Sequence, residues 1–129
     1  MSVVGHLSTN PADVSDVVWS GPLADADTFV AAARAAQPRW AAVPAPVRGR
    51  AIQQLGRLVE DNFEALSRLI TREIGKPIKE SRGEVQEVVD TCNFFLGEGR
   101  RLYGQTVPSE MPDKQLFTFR VPVGVAAIV

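Results

Sequence analysis

Residues 52–96 read IQQLGRLVEDNFEALSRLITREIGKPIKESRGEVQEVVDTCNFFL, and this stretch decides the fold. Ile52, Leu55, Val59, Phe63, Leu66 and Ile70 recur at steps of three and four, which places them on one face of a helix. Arg57, Glu60, Asp61, Glu64 and Arg68 fall largely elsewhere. With Pro44 and Pro46 at the start, where a missing N–H does no harm, the pattern predicts one helix over residues 45–74. Gly75 is a natural C-cap and Pro77 stops the helix from continuing. A second helix is predicted over 78–103, closed by Gly104. Its apolar side carries Val85, Val88, Val89, Cys92, Phe95, Leu96, Leu102 and Tyr103, and its polar side Glu80, Arg82, Glu84, Glu87 and Asp90. The three-residue link makes the two helices neighbours, because neither apolar face is stable in water alone.

Towards the N-terminus, residues 24–40 predict a further helix. Asp25 or Asp27 can cap it, Phe29, Val30, Ala33 and Ala36 form its apolar stripe, and Pro38 is expected to end it. Trp40 is then expected to pack nearby. Residues 1–23 read as an extended arm with a hairpin or two. The turn signals are Asn10-Pro11 and Ser20-Gly21-Pro22, with one short strand around Val14, Val17, Val18 and Trp19.

Residues 105–129 change period. A loop runs from Gln105 to Pro112, and Leu116 to Val121 is rich in strand formers. After Pro122, Val123 to Val129 is a continuous apolar run of the kind found in parallel strands buried on both faces. No strand of the same kind precedes it, so the domain to which it belongs is expected downstream. The expected fold class is α/β for a longer protein. Within this chain the expectation is mostly α, with a short N-terminal β arm and two C-terminal strands. The expected divisions are an arm over 1–23, a helical part over 24–104, and a loop with strands over 105–129.

A formal net charge of −1 offers no basic stripe for nucleic acid or an anionic membrane. One cysteine and one histidine cannot build a disulfide or a Cys/His zinc site, and the low cysteine count suits a reducing compartment. No apolar run approaches the roughly 18 residues of a membrane helix, and Met1 to Asn10 lack a secretory pattern. A cytoplasmic location is expected.

Several side chains invite a sharper reading. Cys92 could be a nucleophile, but it stands on the apolar stripe between Val88 and Phe95 with no cation beside it, as a core cysteine would. Gly97-Glu98-Gly99-Arg100 could be a phosphate loop, but such a loop follows a strand and opens a helix, whereas these glycines fall in a helical pattern and suit close packing. Lys76 could bind an anion; its position favours interaction with a helix C-terminus. Glu84 with Glu87, and Glu73 with Glu80, could be paired acids, but without histidine they read as a solvated face. Phe117 and Phe119 with Arg120 could stack on single-stranded nucleic acid; strand packing is favoured instead. His6 is expected in a mobile tail.

Seven segments resemble the aldehyde dehydrogenase superfamily, in the family's order. Asn10-Pro11-Ala12 resembles its N-P-A opening. Ala31 to Ala36 followed by Trp40 resembles its first helix end, and Arg48 to Leu58 the start of its next helix. Thr71-Arg72-Glu73-Ile74-Gly75-Lys76-Pro77 is very close to its T-x-E-x-G-K-P link, and Glu84 to Phe95 continues into its following helix. Tyr103-Gly104-Gln105-Thr106-Val107-Pro108 resembles Y-G-x-T-[IV]-P, and Arg120 to Val125 resembles R-x-P-[VL]-G-V. Each motif alone is weak; their joint order covers nearly the whole chain.

The resemblance implies an enzyme that oxidises an aldehyde to a carboxylic acid and passes a hydride to NAD or NADP. A cysteine thiolate would attack the carbonyl, a backbone N–H and an asparagine amide would hold the oxyanion, and a glutamate would activate water. In the family all of these, and the phosphate-binding glycines, lie downstream. The expectation is therefore that residues 1–129 are an amino-terminal fragment, inactive alone, with no catalytic, cofactor-binding or metal residues. Val123 to Val129 would begin the cofactor domain, and Leu116 to Val121 would join strands used in subunit association, in a homodimer or homotetramer. Asn10 to Asp13 and Val107 to Pro112 look most like members acting on small acid semialdehydes. The competing expectation is a non-catalytic helical interaction module, which should not end on seven uncharged residues.

Overall fold

The computed structural model describes residues 5–128. Two strands, β1 (Gly5–Asn10) and β2 (Asp13–Pro22), form an antiparallel hairpin. Four helices follow: α1 (Ala26–Ala42), α2 (Ala45–Asp61), α3 (Phe63–Ile74) and α4 (Ile78–Glu98). Two short strands, β3 (Thr106–Val107) and β4 (Leu116–Phe117), pair antiparallel near the end. The expected mostly helical chain with a β arm is present, but the positions of several elements are corrected. Of the two C-terminal strands only Leu116–Phe117 falls where one was expected, and its partner Thr106–Val107 lies in the stretch expected as a loop.

The expected single helix over 45–74 is two helices. Asn62 breaks it at φ −109° and ψ 17°. Its side-chain Nδ2 donates to the Leu58 carbonyl at 2.8 Å, the acceptor that its own backbone N–H would take in a continuous helix. The backbone N–H turns to Val59 instead, at 3.2 Å. A short amide side chain thus competes with the helix ladder and wins.

The N-terminal helix passes through Pro38 and reaches Ala42. Pro38 removes one donor, but the end it was expected to make is supplied five residues later. There Val43 is extended before Pro44, and Arg48 Nη1 donates to the Ala41 carbonyl at 3.2 Å. Trp40 stays inside this helix and is half-exposed. Asp25 is the N-cap, accepting from the Asp27 N–H at 3.2 Å. At the other end of the helical region α4 stops at Glu98, short of the expected Tyr103, with Gly99 as its cap.

The arm is more regular than expected. β2 runs ten residues rather than one short strand. His6 is held in β1 opposite Gly21, its ring 5.7 Å from that of Trp19, rather than in a mobile tail. Met1 to Val4 lie outside the described residues. The strand expected over Leu116–Val121 shortens to Leu116–Phe117. Val123 to Ile128, expected as a buried strand, joins no ladder among the described residues, and Val123 and Ile128 are 96% and 97% exposed. That run finds no neighbouring strand among the described residues.

The core lies where α4 rests on α2 and α3. Val85, Val89 and Cys92 are its buried apolar residues, and the two valines contribute roughly 1.5–2 kcal/mol each. Ser67 and Ser81 are fully buried between α3 and α4. The Ser67 hydroxyl donates to the Phe63 carbonyl, and the Ser81 and Thr71 hydroxyls pair at 2.8 Å. The accessible surface is 10503 Å², against about 6,700 Å² for a typical folded monomer of this mass. The excess reflects faces left uncovered among the described residues, with Phe29, Phe94 and Tyr103 among the exposed large apolar side chains.

Candidate functional site

The sequence places glycines seven residues apart on the apolar side of α2, and there α2 and α4 approach closely. Gly49 and Gly56 are both buried. A Cβ on Gly49 would stand 2.7 Å from the Leu96 carbonyl oxygen, and one on Gly56 2.8 Å from the Cβ of Cys92. Beside this seam the helices diverge into an open groove of about 610 Å³. Its walls include Ile52, Leu55, Phe95 and Leu102, with Arg48 and Arg120 at the rim. Phe95 and Leu102 are about half-exposed, although the sequence pattern places both on the apolar stripe. The groove can take an apolar body. Its lining includes no pairing of a nucleophile with a general base.

Cys92 is among the lining residues but is only 5% exposed and packs against Gly56 of α2, as a core cysteine does. Gly97 is inside α4 and Gly99 at its end, so Gly97-Glu98-Gly99-Arg100 does not open a helix. Close packing accounts for Gly99, whose Cβ would collide with the Ala45 carbonyl, while Gly97 meets only the flexible Arg101 side chain. Glu98 accepts from Arg101 Nε at 2.7 Å. Gly124 has φ 98° with open space around it. No G-x-G turn stands between a strand and a helix among the described residues.

The acids do not pair with one another. Lys76, expected to face a helix C-terminus, forms an ion pair with Glu84 across the first turns of α4. Glu73 accepts from the Ser8 hydroxyl at 2.8 Å. No group of three potential metal ligands occurs among the described residues. Phe117 and Phe119 touch, their rings 6.3 Å apart, but Phe119 is 81% exposed, so the expected strand packing does not cover it within this chain. Arg120 Nε donates to the Tyr103 carbonyl at 3.3 Å. No described helix is long and apolar enough to cross a membrane.

A second arrangement holds the hairpin to the helices. Arg72, near the end of α3, donates from Nε to Asp16 at 2.7 Å and from Nη2 to both Asp16 and the Val17 carbonyl. Asn10 adds a bond to Asp16 at 3.2 Å. The Arg72 hydrogen bond, helped by that of Asn10, lowers the Asp16 carboxyl from 3.8 to about 2. A depressed carboxyl stabilises the docked state above its unfolded value and loses that contribution as protonation begins. The hairpin should therefore loosen between about pH 4 and pH 2. The measurement is amide exchange or Trp19 fluorescence against pH. An Asp16→Asn variant should lose that titration; an unchanged profile would exclude the latch.

Residues 7–129 match the model of the aldehyde dehydrogenase family. The chain belongs to this family. It is 39% identical over 112 residues to the α-aminoadipic semialdehyde dehydrogenase of Bos taurus, covering 87% of this chain and 21% of that protein. It is 36% identical over 124 residues to a succinate-semialdehyde dehydrogenase (NADP+) of Escherichia coli, covering 94% and 26%. Among solved structures it resembles an NAD-dependent aldehyde dehydrogenase from Sinorhizobium meliloti, with a TM-score of 0.81 and 32% identity over 93% of this chain and 25% of that one. The chain thus spans about a quarter of the length of these family members.

The residues that the sequence reading passed over are Gly49, Gly56, Asp16 and Arg72. Glycines seven apart on an apolar stripe are a legible signal of close helix contact. The Asp16–Arg72 pair spans 56 residues and left no local signal.

Proposed function

We propose that this chain is the amino-terminal part of an NAD(P)-dependent aldehyde dehydrogenase that oxidises a small acid semialdehyde to the carboxylic acid. The observation that carries the reading is the family match along residues 7–129. The semialdehyde preference is supported by the substrates named for the bovine and Escherichia coli relatives. Both NAD and NADP occur among the family members it resembles, and either would serve the hydride transfer. The nucleophile, the general base and the cofactor contacts are assigned to polypeptide outside residues 1–129. The role of these residues is architectural. The α2–α4 groove and the apolar run from Val123 would pack against the cofactor domain, and the β3–β4 segment would take part in a homodimer or homotetramer in the cytoplasm. A self-contained interaction module is disfavoured by the family match and by a core of so few buried side chains.

The test is to read the coding sequence past the codon for Val129 and express the longer product. It should form NADH or NADPH with succinate semialdehyde, while the 129-residue chain should form neither. A longer product inert towards aldehydes, or a stop codon directly after Val129, would set the enzymatic reading aside.

A further inference from the structure

Three arginines, Arg68, Arg72 and Arg82, are among the residues that line one open cavity of about 470 Å³ between the hairpin turn and the α3–α4 junction, and the wall also holds Asn10, Thr71 and Gly75. No carboxylate lines it. The two acids that pair with these arginines, Asp16 and Glu64, lie outside the lining. Each pairing uses the same edge of the guanidinium. Arg72 spends Nε and Nη2 on Asp16 and Val17, and Arg82 spends Nε and Nη2 on Glu64 at 2.8 and 2.9 Å. Nη1 of both has no protein partner among the described residues. The Arg68 side chain makes no hydrogen bond among the described residues; its Nε is 4.0 Å from Oε2 of Glu64, and both carboxylate oxygens of Glu64 accept from Arg82.

We propose that this cavity binds a phosphate group, free or as the ester of a small molecule. The chemistry is that of planar donors converging on a tetrahedral anion, for which arginine is better suited than lysine. The two fixed guanidiniums are held in place by their carboxylates, so little side-chain freedom is lost when an anion arrives. Arg68 is the mobile third donor that closes over it. The volume exceeds what a bare phosphate needs and falls in the range of small-molecule sites. Because Asn10 and Ala12 form one wall, a bound anion would also brace the hairpin against the helices. The site stands independently of the dehydrogenase reading, since it uses no residue of the α2–α4 groove.

The experiment is a heteronuclear NMR titration of the 129-residue chain with inorganic phosphate and with glycerol phosphate, ionic strength being balanced with sodium chloride. A saturable shift confined to the Asn10 side-chain amide and the Nε–H signals of the three arginines is the expected result. Arg68→Gln, which removes no structural hydrogen bond, should weaken that binding roughly tenfold while leaving the rest of the spectrum in place. Tighter binding of glycerol phosphate than of phosphate would identify an ester as the ligand, and equal binding the free anion; both support the site. Linear, unsaturated shifts, the same shifts with chloride alone, or binding unchanged in Arg68→Gln would overturn it.

Discussion

Gly49→Val should destabilise the chain by about 3 kcal/mol. The first atom added would meet the Leu96 carbonyl oxygen at 2.7 Å, and that oxygen belongs to the backbone of α4. A side chain can rotate away from an intruder, but a helix backbone can yield only by moving the whole helix. Separating the helices would also uncover Val85, Val89 and Cys92, which are the buried apolar residues of the core. Urea denaturation followed at 222 nm is the measurement. Gly83→Ala is the comparison, because nothing lies within 4 Å of the position its Cβ would take. There the substitution should stabilise by about 0.8 kcal/mol, the ordinary difference in helix propensity. If Gly49→Val and Gly83→Ala moved the midpoint in the same direction, the close approach of the two helices would be wrong.

Gly75→Val should cost about 2–3 kcal/mol and release the hairpin from the helices. Two causes combine. Gly75 ends α3 at φ 80°, a left-handed conformation in which a β-branched side chain strikes its own backbone. Its Cβ would also stand 2.6 Å from the ring of Pro11 at the hairpin turn. Gly75→Asn separates the causes, since asparagine tolerates the left-handed region but still carries a Cβ. Loss of hairpin protection in both variants, with greater loss of global stability in valine, is the expected pattern in hydrogen exchange. A hairpin equally protected in both would mean that Pro11 is not held against the helix end.

The two glycines differ in how visible they are. Gly75 followed by Lys76 and Pro77 is legible as a helix end because the required conformation and the stop signal are both local. What it touches is not legible, since Pro11 is remote in sequence. Asn62 was within reach of a sequence reading, for an amide in mid-helix is a known competitor for the i−4 carbonyl. The apolar period passes through it unbroken and by itself predicts a single helix. Pro38 misled in the opposite sense. Its local penalty is real, but Arg48 satisfies the carbonyls at the end of the helix, and that contact belongs to the tertiary structure.

By itself the sequence determined that helices fill most of residues 26–98, where α3 stops and that the arm turns after Asn10, because periodicity, capping by Asp25 and the Gly75–Pro77 stop act within a few residues. The second expected turn, Ser20-Gly21-Pro22, is instead the paired end of β2. Motif order along the chain also pointed to the family. Only the tertiary structure decided which glycines become a seam, that Asp16 and Arg72 tie the hairpin to α3, and that three arginines line one cavity. Those facts depend on groups far apart in the chain meeting at fixed distances. The apolar run from Val123 shows the same boundary: its composition announced a strand, but a strand needs a neighbour to accept its hydrogen bonds, and within residues 5–128 none is placed beside it.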